Sequence, residues 1–405
     1  MATTMASVGK AAIVGGGKVA AKAQLYDSIA RLSDWLEAND YQAYDTFDGL
    51  NARHVRALTF ETKVLRMVLQ QGVRRFPINL RPLLGVRRSH SSKGMGFIAR
   101  GFIRLYQATG DRAWRDKAEH TLEWLVDNQC RGYSGAGWGN HFDYQSRNCF
   151  VVKNIPSMVW TSLIGHAFLD AHDSFRGDRF LPVAISSCEH ILHDFSRHVE
   201  GESTCLGYFP EWDHQVHNAN TLGASLLIRT YAQSGNETYR ELAERAFQYT
   251  AKYQRPDGSW YYGEASNLRW VDNFHTGYVL DCFKHYSDST GDGRFEKTIA
   301  AGYDYWKSTF LLEDGTPRYY SHKTMPIDIQ CSSQAIETLV FYADRDPRSL
   351  QLAIKVANWT IEHMQDRSGY FYYRRYPFGI VNKTPTLHWG QATMLAALAG
   401  LYRAL

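Results

Sequence analysis

Asp272-Asn273-Phe274-His275-Thr276 opens an apolar run with helical spacing, and a Gly/aromatic turn, Asp257-Gly258-Ser259-Trp260-Tyr261-Tyr262, stands just before it. The arrangement recurs at Ser92-Lys93-Gly94-Met95-Gly96, Asn154-Ile155-Pro156-Ser157, His217-Asn218-Ala219-Asn220-Thr221, Asp328-Ile329-Gln330-Cys331-Ser332 and His388-Trp389-Gly390-Gln391-Ala392. Matching turns are Gly132-Tyr133 to Trp138, Gly207-Tyr208-Phe209, Asp314-Gly315 to Tyr320, and Gly369-Tyr370 to Tyr373. The openings lie roughly 60 residues apart, the length that two helices and two connections require. Six degenerate helical hairpins predict an all-α fold, an (α/α)6 toroid, with its chemistry where the inner helices begin.

Working outward, inner helices are expected near 94–109, 156–172, 218–234, 273–290, 328–343 and 388–404. Outer helices are expected near 111–129, 180–198, 237–254, 293–310 and 348–365. The outer set carries the charges, for instance Arg112, Arg115, Asp116 and Glu119, while the inner set carries small residues such as Gly223-Ala224-Ser225 and Ala396-Ala397. That contrast fits one ring facing water around another enclosed by protein. Leu25 to Glu37 has helical periodicity and would supply the sixth outer helix; Leu58 to Gln71 has it too. Pro77 and Pro82 exclude a long helix over 77–85. A hairpin array buries its faces only against its neighbours, so residues 23–405 read as one domain. Residues 1–22, Ala/Gly/Val-rich and interrupted by Lys10 and Lys18, read as a flexible tail, too short in apolar run for a signal peptide or membrane span.

The chain has 405 residues and a formal net charge of +4 with mixed signs, so a nucleic-acid footprint is missing. One stretch is locally basic: Arg74-Arg75, Arg81, Arg87-Arg88 and Lys93. It reads as a solvated surface or as a contact for anionic lipid or an acidic polymer. The six cysteines form neither a CxxC nor a Cys/His metal spacing, which favours a reducing compartment and a cytoplasmic protein. Tyr (25), Trp (11) and Phe (20) gather in the turns, where they would either stack on sugar faces or plug a wide ring.

Parallel inner helices bring their N-termini to one rim, where free N–H groups favour anionic or oxygen-rich ligands. Asp272 and Asp328 each open an inner helix and are the first acid/base pair, although either could serve only as an N-cap. His275 stands one turn from Asp272, close enough for a carboxylate to tune an imidazole. Glu211 and Asp143 are the replacement carboxylates. Asp213, His214 and His217 approach a metal-ligand spacing, but a further clear ligand is missing, so neither metal nor cofactor is expected. The expected binding surface comprises Trp138, His141, Tyr144, Arg147, Asp213, His217, Asn218, Trp260, Asn273, Tyr278, Tyr320, Gln330, His388, Trp389 and Gln391. Phosphate-cradling and nucleophile-elbow motifs do not occur.

Gln254-Arg255-Pro256-Asp257-Gly258-Ser259-Trp260 resembles the QxxDGxW turn of squalene-cyclase and prenyltransferase toroids, but the DxDD acid motif of class II cyclases is missing. A broader resemblance rests on Asn51 with Ile78-Asn79-Leu80-Arg81-Pro82-Leu83-Leu84-Gly85, and on Gly137-Trp138-Gly139 with Phe142-Asp143-Tyr144-Gln145-Ser146-Arg147. Val216 to Asn220, Val271 to Tyr278 and Pro326-Ile327-Asp328-Ile329 extend it. These blocks are similar to a family of bacterial toroid proteins associated with surface-polysaccharide gene clusters and similar in fold to six-hairpin glycosidases. The resemblance implies the fold and a carbohydrate setting.

Three functions compete. A glycoside hydrolase would use Asp272 with Asp328, on a substrate that could be lipid-linked or contain uronic acid; its carboxylates should lie roughly 6.5–9.5 Å apart for inversion or 5–5.5 Å for retention. A uronate lyase or epimerase would use Tyr or His as base, with His217, Asn218, His275 and Tyr278 at hand. A non-catalytic glycan-binding partner of a glycosyltransferase would need only an aromatic groove.

Overall fold

The computed structural model describes residues 22–53, 55–212 and 214–405. The tail expected over 1–22 lies, except for Lys22, outside the described residues, as does Asp213. In chain order the helices are α1 (22–38), α2 (Lys63–Arg75), α3 (Ser92–Thr109), α4 (Arg112–Asp127), α5 (Met158–Phe175), α6 (Leu181–Asp194) and α7 (His217–Ser234). They continue with α8 (Glu237–Lys252), α9 (Asn273–Thr290), α10 (Glu296–Phe310), α11 (Ile329–Phe341), α12 (Ser349–Met364) and α13 (Ala392–Ala404). Odd-numbered helices from α3 onward form the inner ring; each packs on the next, and α13 closes back on α3. The outer ring is α4, α6, α8, α10, α12 and α1. The fold is therefore the all-α (α/α)6 toroid.

Two local devices build each hairpin. Inner helices α3, α7 and α9 end on Gly110, Gly235 and Gly291, at φ 71°, 69° and 69°, a left-handed conformation that suits glycine. The next residue, Asp111, Asn236 or Asp292, caps the helix that follows with its side chain. The Gly/aromatic turns then press on the next outer helix. A Cβ on Gly258 would meet the Ala301 carbonyl of α10 at 2.4 Å, and one on Gly315 the Lys355 carbonyl of α12 at 2.6 Å. One on Gly369 would meet the Arg31 carbonyl of α1 at 2.1 Å, which gives α1 the place of a sixth outer helix.

Strands are short and confined to the rim: β1 (Tyr144–Gln145) with β2 (Phe150–Val151), β3 (Arg197–Glu200) with β4 (Ser203–Leu206), and β5 (Ile327–Asp328), β6 (Arg374–Arg375) and β7 (Val381–Asn382) in that order, all antiparallel. The last inner helix departs from expectation, because it enters through a π-helical turn, Leu387–Gln391. Gln391 fixes that turn by bonding both the N–H (2.7 Å) and the carbonyl (2.8 Å) of Phe371. All six cysteines are free thiols. Among the described residues, no helix is long and apolar enough to cross a membrane.

The toroid axis holds two cavities. One of about 400 Å³ opens among the starts of the inner helices. The other, of about 530 Å³, lies among their later halves and is lined by paired charges such as Arg100–Asp170 (2.9 Å). Tyr278 lines both and separates them.

Candidate functional site

The first cavity is the candidate site. Lys93 comes from the start of α3, Trp160 from α5, Asn218 from α7, Phe274, His275 and Tyr278 from α9, and His388 and Trp389 from the π turn before α13. Loops add Phe47, Asn140, Tyr144, Arg147, Tyr208, Tyr262, Trp270, Tyr319 and Tyr320, and α2 adds Arg74 and Arg75. The walls are aromatic: Tyr262 stacks on Trp270 at 4.4 Å, and Phe47 and Phe274 meet Trp389 edge-on at 5.3 and 5.4 Å. Among the described residues, neither Asp nor Glu lines this cleft.

Two histidines are oriented alike. His388 Nδ1 bonds the buried Asp45 carboxylate, and Nε2 is buried with no partner. Burial would raise the Asp45 carboxyl, but His388 and His141 draw it below its ordinary value. An ionised Asp45 requires a proton on His388 Nδ1, which leaves Nε2 with its lone pair free. Burial, and secondarily Lys93, hold the His388 imidazolium below its ordinary pKa despite Asp45, so the ring is a neutral base at neutral pH. His275 Nδ1 bonds Asp272 Oδ2 at 2.7 Å in the same manner.

Lys93 is almost wholly buried beside them, its ammonium 4.9 Å from the Trp160 ring centroid. Burial pushes it down to about 7, against the pull of Asp45. An anion in the cleft would restore its charge. Arg74 donates to Tyr373 Oη at 2.8 Å and lies over the Phe47 ring at 4.4 Å; Arg147 lies over Trp270 at 4.6 Å.

The expected carboxylates sit elsewhere. Asp272 is the N-cap of α9, accepting from the His275 amide (3.1 Å), Trp270 Nε1 (2.9 Å) and His275 Nδ1. Asp328 is fully buried, accepting from the Gln330 amide (3.1 Å) and from Arg374 Nε (2.9 Å) and Nη2. Asp143 is bound by Arg56 (2.7 Å) and the Lys153 amide (3.0 Å). Glu211 is exposed on its loop, outside the residues that line the cleft.

Of the expected binding residues, Tyr144, Arg147, Asn218, Tyr278, Tyr320, His388 and Trp389 line the cleft, and Asn218 Oδ1 is buried without a partner. Gln330 stands just behind, donating to Tyr278 Oη at 3.1 Å. His141 is buried near Asp45, and burial pushes it down to about 4. Others hold the scaffold. Trp138 stacks on Phe168 at 5.8 Å, and Trp260 Nε1 donates to the Thr250 carbonyl at 2.9 Å. Asn273 bridges Trp306 (3.0 Å) and the Arg318 carbonyl (2.8 Å), and His217 bonds Glu264 at 2.8 Å. Gln391 fixes the π turn, as above.

Asp45 was missed by sequence reasoning, and so was the inward placement of Lys93 and Arg74. The polar turn around Asp45 carries no repeat signal, and its partner lies 343 residues away. Lys93 and Arg74 were visible only as members of a basic run.

The sequence matches neither a protein-family profile nor a curated protein. In fold the chain is similar to several solved structures. Cellobiose 2-epimerase from Bacillus thermoamylovorans aligns with a TM-score of 0.62 at 12% identity, over 78% of this chain and 87% of that one. A GH76 α-mannanase from Bacteroides thetaiotaomicron aligns at 0.58 and 12%, over 77% and 85%. A polysaccharide lyase aligns at 0.60 and 11%, over 94% and 97%. At these identities the likeness is one of fold, the six-hairpin toroid.

Proposed function

We propose that this protein is an enzyme that abstracts the proton α to the carboxyl group of a uronic-acid-containing carbohydrate, the first step shared by uronate lyases and epimerases. The observation that carries this reading is the make-up of the cleft. Its charged groups are Arg74, Arg75, Arg147 and Lys93, its bases are histidines, and among the described residues it lacks a carboxylate. Hydrolysis by paired carboxylates needs two such groups facing the substrate, whereas Asp272 and Asp328 are buried and engaged by protein donors. The aromatic walls suit sugar faces, and a cationic site suits a carboxylate.

In this reading Lys93 and the arginines neutralise the substrate carboxylate, which makes the adjacent C5 proton acidic. His388 Nε2 takes that proton, and the electron pair passes into the carboxyl group as an enediolate. The intermediate resolves in one of two ways. Either the C4–O bond breaks, the departing oxygen receives a proton and a C4=C5 double bond forms, or a proton returns to the opposite face of C5. His275 is the group placed to give that second proton. The fold likeness to an epimerase and to a lyase fits either outcome without choosing between them.

The test is incubation with oligosaccharides of polygalacturonate, alginate and hyaluronan in D2O. Deuterium at C5, or the ultraviolet absorbance of an unsaturated uronate, is the expected result. New reducing ends with neither signature would mean hydrolysis and overturn the reading.

A further inference from the structure

Helix α2 and the segments beside it form a face that the catalytic reading does not use. Of the fourteen large hydrophobic residues exposed on the described chain, ten fall within 58–83 and 378–380. Val64 (69%), Val68 (63%) and Phe60 (76%) are mostly open to solvent, and Phe378, at the tip between β6 and β7, is 99% exposed. The tip belongs to the same face, because Tyr376 Oη donates to the Arg75 carbonyl (2.9 Å) and Asn382 Nδ2 to the Phe76 carbonyl (2.8 Å) at the end of α2. Along α2, Val64, Val68, Gly72 and Arg75 follow helical spacing and are exposed together. Contiguous apolar surface of this kind marks an interaction site.

Charge identifies the occupant. Between residues 53 and 93 there are ten Lys or Arg and a single acid, Glu61. Glu61 is taken by Arg56 (3.5 Å) and Arg66 (2.6 Å), leaving Arg53, Lys63, Arg75 and Arg87 exposed around the apolar side chains. Apolar groups interleaved with cations match the boundary of an anionic bilayer, where the side chains enter the headgroup region and the cations meet lipid phosphates. A protein partner with an ordinary mixed surface would leave these cations unmatched. We propose that this face docks the protein peripherally on an anionic lipid surface. Met67, Gln71, Arg74 and Arg75 of the same helix line the candidate cleft, so docking sets the cleft mouth beside the membrane. The proposal stands independently of the reaction assigned to the cleft.

The experiment is flotation of the full chain with vesicles of mixed phosphatidylglycerol and phosphatidylcholine, against phosphatidylcholine alone. Binding is expected only to the anionic vesicles and should weaken as salt rises. The triple variant Val64→Ser, Val68→Ser, Phe378→Ser removes apolar groups that pack on little, so its circular dichroism should match the parent. Its vesicle affinity should fall about tenfold or more. Equal affinity of that variant would reduce the contact to bulk charge attraction and overturn the proposal. So would failure to float at low salt, or a concentration-dependent dimer that the triple variant abolishes, since a second copy would then cover the face.

Discussion

His388 and His275 each spend one ring nitrogen on an aspartate and present the other to the cleft, and this division of labour can be tested atom by atom. His388→Gln should lower turnover by about 10²–10⁴-fold, the usual loss when a positioned base is removed. Asp45→Asn should lose activity by a comparable factor, because an amide does not fix the tautomer as a carboxylate does; the fold, by circular dichroism, should persist. Full activity in either variant would remove His388 from the mechanism. The pH dependence follows from the same site. His388 must be neutral, and its pKa is below its ordinary value, so kcat/KM should hold down to pH 6.5 and fall below it. Lys93 must be charged, and it titrates at about 7, so kcat/KM should also fall above neutrality. In kcat that alkaline limb should move up, because the bound carboxylate favours the ammonium. Lys93→Met should abolish the alkaline limb along with most activity, yet raise stability. The sign is fixed by linkage: between a folded value of about 7 and an unfolded value near 10.4, the unfolded chain binds more protons, so stability rises with pH across that window. Below it the full penalty stands, and removing the amine at pH 7 should recover on the order of a few kcal/mol, read as a higher Tm. An unchanged or lower Tm would mean that Lys93 has solvent or a counter-ion. Sequence could reveal His275 and His388, since both open inner helices, but not the dyad with Asp45, which exists only once the ring closes.

Helices were the legible elements, because a 3.6-residue pattern with caps at both ends is a local signal. The inner helices start within a few residues of the six quoted openings, and Gly110, Gly235 and Gly291 stop three of them where a left-handed residue is needed. The π turn at 387–391 was not legible, since it depends on Gln391 reaching the backbone of Phe371. Nor was the role of the two cap aspartates, which share a position in the repeat but differ in what they hold. Asp272 orients His275, whereas Asp328 anchors Arg374 and so ties α11 to β6. Asp328→Ala should therefore act on stability. It leaves the almost fully buried Arg374 uncompensated, and breaking such a pair costs about 3–5 kcal/mol. Urea denaturation would read this as a lower midpoint at an unchanged slope. Adding Arg374→Met should restore much of the loss; if the double variant were no better than the single, the cost would lie in the cap. Asp272→Asn keeps a capping side chain and should cost far less stability than Asp328→Ala, while impairing turnover through His275.

The molecule as a whole is a ring, and a ring without capping repeats stands or falls as a unit. In an open hairpin array each terminal unit leaves one apolar face bare. Here α1 covers the last gap, burying Leu25, Ile29, Leu32 and Leu36. Gln365, just past α12, accepts from Ser28 (2.8 Å) and Arg31 (3.1 Å) and donates to the Ser28 carbonyl (3.1 Å). Tyr26 packs on Tyr402 of α13 at 5.5 Å, and Lys117 of α4 pairs with Glu37. Helix α1 is thus bound to α12 and α13 on one side and to α4 on the other, although it is the first described element and they are spread from one end of the chain to the other. If residues 23–405 form one cooperative domain, weakening this closure should weaken everything. Ile29→Ala and Leu32→Ala should each cost about 2–5 kcal/mol, the range for deleting a buried aliphatic side chain. The loss should lower the midpoint of a single transition in which circular dichroism and tryptophan fluorescence coincide. An early step that removes one helix's worth of ellipticity while the remaining tryptophans stay native would sink the idea, because α1 would then be a detachable strap on a ring that holds without it.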